Sequence, residues 1–243
     1  MTPSRDMESC YEKSRGLNEM GEEGGNLLKT VGFIHTALIL VEVIKKELRD
    51  HSVEVKAFHM VDESLLMDLM KEGRLHPGIV RRLCQHVFSA EEAGADIITI
   101  TCSSLSPIVD IARRLVSRPV LKIDEPMAEK AVKSAERIGI IATVNTTLEP
   151  TSDLLRKKGE EMGKKISIST ALCQEAFKAI LQGDTEKHDR MVTEEAVKLA
   201  REVDVLVLAQ GSMARLRAPL SQEVNIPVLA SPPLFAEMLK SML

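Results

Sequence analysis

DIITITCSS, residues 96–104, and DVLVLAQGS, residues 204–212, follow one pattern and lie 108 positions apart. Each stretch begins with an aspartate, continues as an apolar run and closes on a serine. A short apolar run between polar residues is typical of a strand that is buried on both faces of a parallel sheet. The two stretches differ at the predicted strand end, where Cys102 stands in the first and Gln210 in the second.

Other landmarks repeat with almost the same spacing. Gly32, Ile34 and Thr36 match Gly139, Ile141 and Thr143 at an offset of 107, and Asp96, Pro119, Val120 and Leu121 match Asp204, Pro227, Val228 and Leu229 at 108. The regular spacing of parallel α/β units is an alternative explanation for such matches. Taken together, these matches favour a duplication into two pseudo-symmetric lobes.

Apolar runs alternate with segments of helical period along most of the chain. The runs are contained in VGFIHT, VEVKAFHM, DIITITC and PVLKID, and then in RIGIIATV, KISISTAL, DVLVLAQ and IPVLAS. This order is typical of a mostly parallel sheet flanked by helices. We predict an α/β fold of two lobes, with a cleft between them. The first covers 30–124 and is completed by 230–243, the second covers 125–229, and residues 1–29 form a flexible arm.

The composition narrows the function. The chain has 243 residues, a net charge of −4, 2% aromatic residues and no Trp, so it lacks the basic face and the stacking platform of most nucleic-acid binders. The thirteen residues between Asp96 and Asp110 fall short of the ~20 that a membrane span needs. The four cysteines have no CxxC spacing and no secretory leader precedes them. We expect a cytoplasmic protein without a metal site or disulfides.

The strand ends predict where a ligand binds. In open parallel sheets, ligands bind beyond the carboxyl ends of the strands. Two facing lobes would therefore place Thr36, Cys102, Thr143 and Gln210 around one cleft. His35 and Thr36 close the first strand and are predicted to bind the substrate, although a histidine at a strand end is as often structural.

Cys102 is the candidate reactive group. Ser106 is predicted to cap a helix that has Pro107 in its first position. Free N–H groups and the helix dipole near the thiol would lower its pKa from ~8.5 toward neutrality. A buried structural cysteine is the alternative, and it is the one we favour for Cys84 and Cys173.

The turn ATVNTT, residues 142–147, is a candidate anion site. Its hydroxyls, amide and backbone N–H groups suit a carboxylate or a phosphate, whereas a solvated turn is the alternative. The predicted binding residues are Thr143, Asn145, Thr146 and Thr147 on this turn and Ser103, Ser104, Gly211 and Ser212 opposite it.

The segments TITCSS, GIIATVNTT and HMVDESLL, together with the duplication, resemble the aspartate/glutamate racemase superfamily, which includes hydantoin racemases, maleate isomerases and arylmalonate decarboxylases. The resemblance covers about residues 31–243. It implies a small carboxylate substrate held between two lobes, no cofactor or metal, and in the racemases two cysteines on opposite faces of the substrate carbon. Cys102 falls on the first cysteine position, and Thr143, Asn145 and Thr146 fall on the carboxylate-binding turn. LAQGSM and GDTEKHD resemble an uncharacterised branch in which glutamine replaces the second cysteine.

The glutamine changes the chemistry that is expected. An amide does not exchange a proton at useful rates near neutral pH, so two-thiol racemisation is not expected with Gln210. A single thiol at Cys102 is left as base, acid or nucleophile, with Gln210 holding the substrate. Racemase-like proton transfer, decarboxylation or lyase chemistry and non-catalytic binding of a carboxylate all stay open.

Two pairs of polar residues and the assembly of the protein are also predicted. Asp62 and Glu63 are interpreted as a helix cap rather than a substrate contact. His188 and Asp189 are interpreted as part of a helix start, with a lid as the alternative. A homodimer or a higher homo-oligomer is the expected assembly.

Overall fold

The computed structural model describes residues 28–243, so nearly all of the predicted arm lies outside the described residues. The strands are β1 Thr30–His35, β2 Lys56–Val61, β3 Ile97–Ile100, β4 Val120–Lys122, β5 Arg137–Ala142, β6 Ser167–Leu172, β7 Val205–Leu208 and β8 Val228–Ala230. The helices are α1 Ile39–Asp50, α2 Glu63–Glu72, α3 Pro77–Glu92, α4 Ser106–Ala112, α5 Glu125–Ser134, α6 Asn145–Glu161, α7 Gln174–Leu181, α8 Thr185–Leu199, α9 Arg217–Val224 and α10 Ser231–Met242. Two 3₁₀ turns, Ser103–Leu105 and Gly211–Leu216, follow β3 and β7.

The two sheets have the same topology. Each contains four parallel strands, in the order β2-β1-β3-β4 and β6-β5-β7-β8. An equivalent contact lies at the start of the first strand of each sheet. The N–H of Thr30 donates to Asp96 at 2.9 Å, and the N–H of Arg137 donates to Asp204 at 3.0 Å. The predicted α/β fold of two lobes is confirmed, and the topology agrees with the duplication.

Glycine packs tightly against neighbouring side chains at the same place in both lobes. A Cβ atom on Gly32 would lie 2.7 Å from the ring of Phe58, and one on Gly139 would lie 2.7 Å from Leu206. Real Cβ atoms essentially never approach so closely, so the neighbouring side chains would have to move. The repeat of this glycine therefore has a packing reason.

Helices cover both faces of each sheet because their apolar residues recur on one side. The C-terminal helix α10 packs on the first sheet, where Phe235 and Leu239 join the cluster that contains Val31 and Phe33. The division of the lobes at residues 124 and 229 stays a prediction. No helix within residues 28–243 is long and apolar enough to cross a membrane.

Candidate active site

A cleft opens where the central strands β1, β3 and β7 end, with an empty volume of about 420 Å³. It brings together most of the predicted site residues. Those that line it are Thr36, Cys102, Ser103, Ser104, Thr147, Gln210, Gly211 and Ser212, with Ala37, Leu40, Leu66, Thr101, Val144 and Ala209 completing the wall.

Three predicted residues of the turn lie on its other side. Thr143, Asn145 and Thr146 line a neighbouring pocket, whose outer wall contains the apolar side chains of Met70 and Phe177. The turn therefore separates two spaces, and Thr147 is the hydroxyl that it presents to the cleft.

The sulfur of Cys102 is surrounded by hydrogen-bond donors. It accepts from the hydroxyl of Thr36, and the backbone N–H groups of Ser104 and Leu105 also face it. The side chain is 7% exposed. Burial raises the pKa of the thiol, and these donors offset only part of that effect. The expected lowering of the pKa is therefore wrong, because desolvation of the charged form outweighs the donors.

The helix start after Cys102 also differs from the prediction. The hydroxyl of Ser106 does not cap α4; it donates to both carboxylate oxygens of Asp124, at 2.9 and 3.0 Å. The turn Ser103–Leu105 precedes the helix and supplies the N–H groups near the sulfur. Local sequence favoured a cap, whereas a partner 18 positions away competes successfully for the hydroxyl.

Gln210 makes the contact that corresponds to the one at Cys102. Its amide oxygen accepts from the N–H of Thr143 at 2.6 Å and from the Thr143 hydroxyl at 3.0 Å. In each lobe, a threonine from one strand end thus donates to the residue at the next strand end. Because the oxygen of Gln210 is engaged, its NH₂ group is the part that can donate to a ligand.

The two lobes also meet through hydroxyls. Ser104 of the first lobe lies 2.9 Å from the hydroxyl of Thr147 in the second, and 3.5 Å from that of Thr146. These contacts close the floor of the cleft.

His35 is fully buried and is not among the residues that line the cleft. The hydroxyl of Thr101 donates its one hydrogen bond to the carbonyl of Ile34, at 3.1 Å. Towards His35 this hydroxyl can therefore only accept, so the Nδ1–H group of His35 is the donor, at 2.8 Å. The Nε2 atom of His35 then accepts from Nδ1–H of His59, also at 2.8 Å. Burial, followed by the neighbouring His59, lowers the pKa of His35 to about 3. The ring is therefore neutral at physiological pH.

The remaining candidates have structural contacts. Asp62 accepts from the N–H of Ser64 and caps α2, as predicted. His188 and Asp189 lie in α8, where Asp189 binds Arg215 of the turn Gly211–Leu216. Within residues 28–243, no group of three metal-ligating side chains comes together.

A family model described as Asp/Glu/Hydantoin racemase matches residues 34–239. The chain belongs to this family. The resemblance expected from the sequence is thereby confirmed, and the cleft lies in the part of the racemase-family domain that the match covers.

Sequence comparison with individual proteins is consistent with this family. A glutamate racemase of Streptococcus gordonii is 29% identical over 125 residues, which are 50% of this chain and 47% of that protein. The chain spans about half the length of the curated relatives it matches.

Solved structures of the family share the fold. The allantoin racemase from Klebsiella pneumoniae has a TM-score of 0.65 at 20% identity, covering 88% of this chain and 87% of that one. The Picrophilus torridus aspartate racemase has a TM-score of 0.68 at 17% identity, covering 88% and 94%. At these identities, the likeness shows the fold alone.

Two residues near the site were missed in the sequence. Asp124 follows β4, and His59 lies within β2. The rule that polar groups gather at the carboxyl ends of parallel strands applies to β4 as it does to β3, and would have found Asp124. The sequence around His59 carries no signal for its role, because its contact with His35 depends on the pairing of β1 with β2.

Proposed function

We propose that this protein is a cofactor-independent enzyme that acts on a small carboxylate by proton transfer at the carbon next to the carboxylate group. Cys102 is the residue that transfers the proton. Among the described residues that line the cleft, it is the one whose side chain carries a titratable proton. This observation carries the proposal, and membership of a racemase family supports it.

Neutral donors are proposed to hold the carboxylate. Thr147 and Ser212 offer hydroxyls, and Gln210 offers its NH₂ group. Hydrogen bonds to a charged group are each worth about 1.5–3 kcal/mol, so several of them replace the hydration of a carboxylate. The same donors would stabilise the negative charge that develops on the substrate oxygens when the neighbouring carbon becomes planar.

The reaction is first proposed to be a racemase-like proton transfer of the isomerase class, in which Cys102 removes and returns the proton on one face of the carbon only. Gln210 stands where a second acid would be needed, and its oxygen is engaged by Thr143. This favours a second candidate, a one-cysteine decarboxylase or lyase of the arylmalonate decarboxylase type. There, a protonated thiol gives its proton to the carbanion left when a carbon–carbon bond breaks, which suits the raised pKa of Cys102.

The test is a panel of amino acids, hydantoins, dicarboxylates and substituted malonates, followed by NMR. The wild-type protein is compared with Cys102→Ser, and Cys84→Ser serves as the matched control because Cys84 lies on the buried face of α3. We expect turnover of at least one compound, a loss of about 100-fold or more in Cys102→Ser, and no loss in Cys84→Ser.

Two results would contradict the proposal. Equal turnover by Cys102→Ser and wild type would remove the thiol from the mechanism. Binding of a carboxylate without any turnover would favour a non-catalytic binding protein; a ligand at 100 times its Kd raises the free energy of unfolding by ~2.7 kcal/mol, which a thermal shift detects.

A further inference from the structure

A buried carboxyl group lies beneath the turn that follows Cys102. Asp124 is 0% exposed. Ser106 donates to both of its oxygens, and the hydroxyl of Ser103 is a further donor. Burial raises the pKa of this carboxyl group, and the two hydroxyls offset part of that effect because they donate to its charged form. The charge of Lys122 favours the ionised form of Asp124, and Lys122 is itself paired with Asp110 at 3.0 Å.

The two serines connect Asp124 to the thiol. Ser103 begins the turn whose N–H groups face the sulfur of Cys102, and Ser106 follows directly after it. The carboxyl group is therefore fastened at both ends of this turn. It is also close enough for its charge to raise the pKa of the Cys102 thiol.

The second lobe lacks this arrangement. At the offset of 108, Gln210 and Gly211 correspond to Cys102 and Ser103, and Pro232 corresponds to Asp124. A Cβ atom on Gly211 would lie 3.4 Å from Pro232, so the proline occupies the place beneath the second turn. Of the two equivalent positions, the one beneath the thiol thus carries a carboxyl group and the one beneath the amide carries none.

We propose that Asp124 is a positioning residue that keeps Cys102 protonated between turnovers, by holding a negative charge beneath the turn Ser103–Leu105. The inference rests on the proposed function in assigning the transferred proton to Cys102. In the decarboxylase or lyase candidate, the broken carbon–carbon bond leaves its electron pair on the substrate carbon as a carbanion. This electron pair forms the new C–H bond as the S–H bond of Cys102 breaks, and the thiolate that remains takes a proton from water. Repulsion from Asp124 favours this last step, so the enzyme returns to the acid form.

Among the described residues at this site, no other titratable group supplies a negative charge to the thiol. Lys122 on β4 is paired with Asp110, and His35 on β1 is neutral because burial lowers its pKa to about 3. The neighbouring turn of α6 and the turn after β7 present Thr147 and Gln210, which do not titrate. Asp124 is therefore the charge to remove in a test.

The experiment measures the rate of alkylation of Cys102 by iodoacetamide against pH. The parent protein carries serine at the other three cysteine positions and is compared with Asp124→Asn, which keeps an oxygen for Ser106 and removes the charge. We expect the pH midpoint to fall by about one unit or more. The matched control is Asp96→Asn at the opposite end of β3, where the carboxylate accepts from Thr30; we expect no shift there. An unchanged midpoint in Asp124→Asn would overturn the proposal.

A second measurement needs no change at Asp124 and covers the case in which Asp124→Asn does not fold. The ¹³C resonance of the Asp124 carboxyl group is followed against pH in the wild-type protein and in Cys102→Ser. Because interacting groups titrate together, we expect a second inflection where the thiol ionises, and its loss in Cys102→Ser. A titration curve that is the same in both proteins would overturn the proposal. Both measurements are made without substrate, so their outcome is independent of whether the proposed reaction is found.

Discussion

Cys102 and Gln210 illustrate how one contact supports two kinds of chemistry. Thr36 donates its hydroxyl to the sulfur in the first lobe, and Thr143 donates to the amide oxygen in the second. The strands that present these side chains occupy equivalent positions in the two sheets. The difference between a thiol that titrates and an amide that does not is therefore made by single residues on equivalent strand ends.

Thr36→Val tests the donor at the sulfur. The hydroxyl stabilises the thiolate, so its removal should raise the pH midpoint of Cys102 alkylation by about one unit, from the ~1.5 kcal/mol or more of a hydrogen bond to a charged group. Thr99→Val is the matched control, because the Thr99 hydroxyl is buried on β3 without a hydrogen-bond partner within the described residues. The control should leave the midpoint unchanged and raise the free energy of unfolding by about 1 kcal/mol. Equal midpoints in Thr36→Val and its parent would contradict this account.

At the scale of the elements, β1 ends in the buried His35, which contacts the partly buried His59 of β2. The ring of Phe33 stacks on both His35 and His59, which join β1 to its neighbour β2. The Nδ1–H group of His35 donates a hydrogen bond to the hydroxyl of Thr101, the residue before Cys102. The pair thus fastens the end of β1 to the end of β3 from the side away from the cleft.

This arrangement predicts a loss of stability in acid. The folded pKa of His35 is lowered to about 3, whereas an unfolded histidine has a pKa of about 6.5. Between these two pKa values the unfolded chain binds a proton that the folded chain does not. The contribution of His35 to the free energy of unfolding is therefore fully present above about pH 6.5 and is lost as the pH falls toward the folded pKa. His35 alone should lower the free energy of unfolding by about 2 kcal/mol between pH 7 and pH 5.

Urea unfolding at these two pH values measures the effect. We expect the midpoint to fall less in His35→Gln than in the wild-type protein, since glutamine keeps polar contacts and does not titrate. An equal fall in both proteins would mean that His35 is not the group responsible.

The elements themselves could be predicted because their patterns are local. Each of the apolar runs quoted above overlaps a strand. The central strands β1, β3, β5 and β7 are buried on both faces, which requires consecutive apolar side chains. Strand alternation would also have placed His35 on the face opposite Thr36. The raised pKa of Cys102 and the partner of Ser106 could not be predicted, because depth of burial and a contact with Asp124 depend on how distant segments pack.

At the scale of the whole molecule, the two lobes share a topology and differ in charge. The first places a thiol above a buried carboxyl group, and the second places an amide above a proline. A duplicated fold of this kind can serve both faces of a substrate carbon only if both lobes carry a proton donor. We therefore expect the first lobe to transfer the proton through Cys102 and the second lobe to bind the substrate through Gln210. The homodimer and the cytoplasmic location stay predictions.

Turnover in D₂O tests this account most directly. The product is analysed by NMR for deuterium at the carbon next to the carboxylate, and by chiral chromatography for its configuration. Because Cys102 alone delivers the proton, from one face, the account predicts deuterium in a single configuration and none transferred by Cys102→Ser. A racemic deuterated product, or exchange that persists in Cys102→Ser, would contradict it.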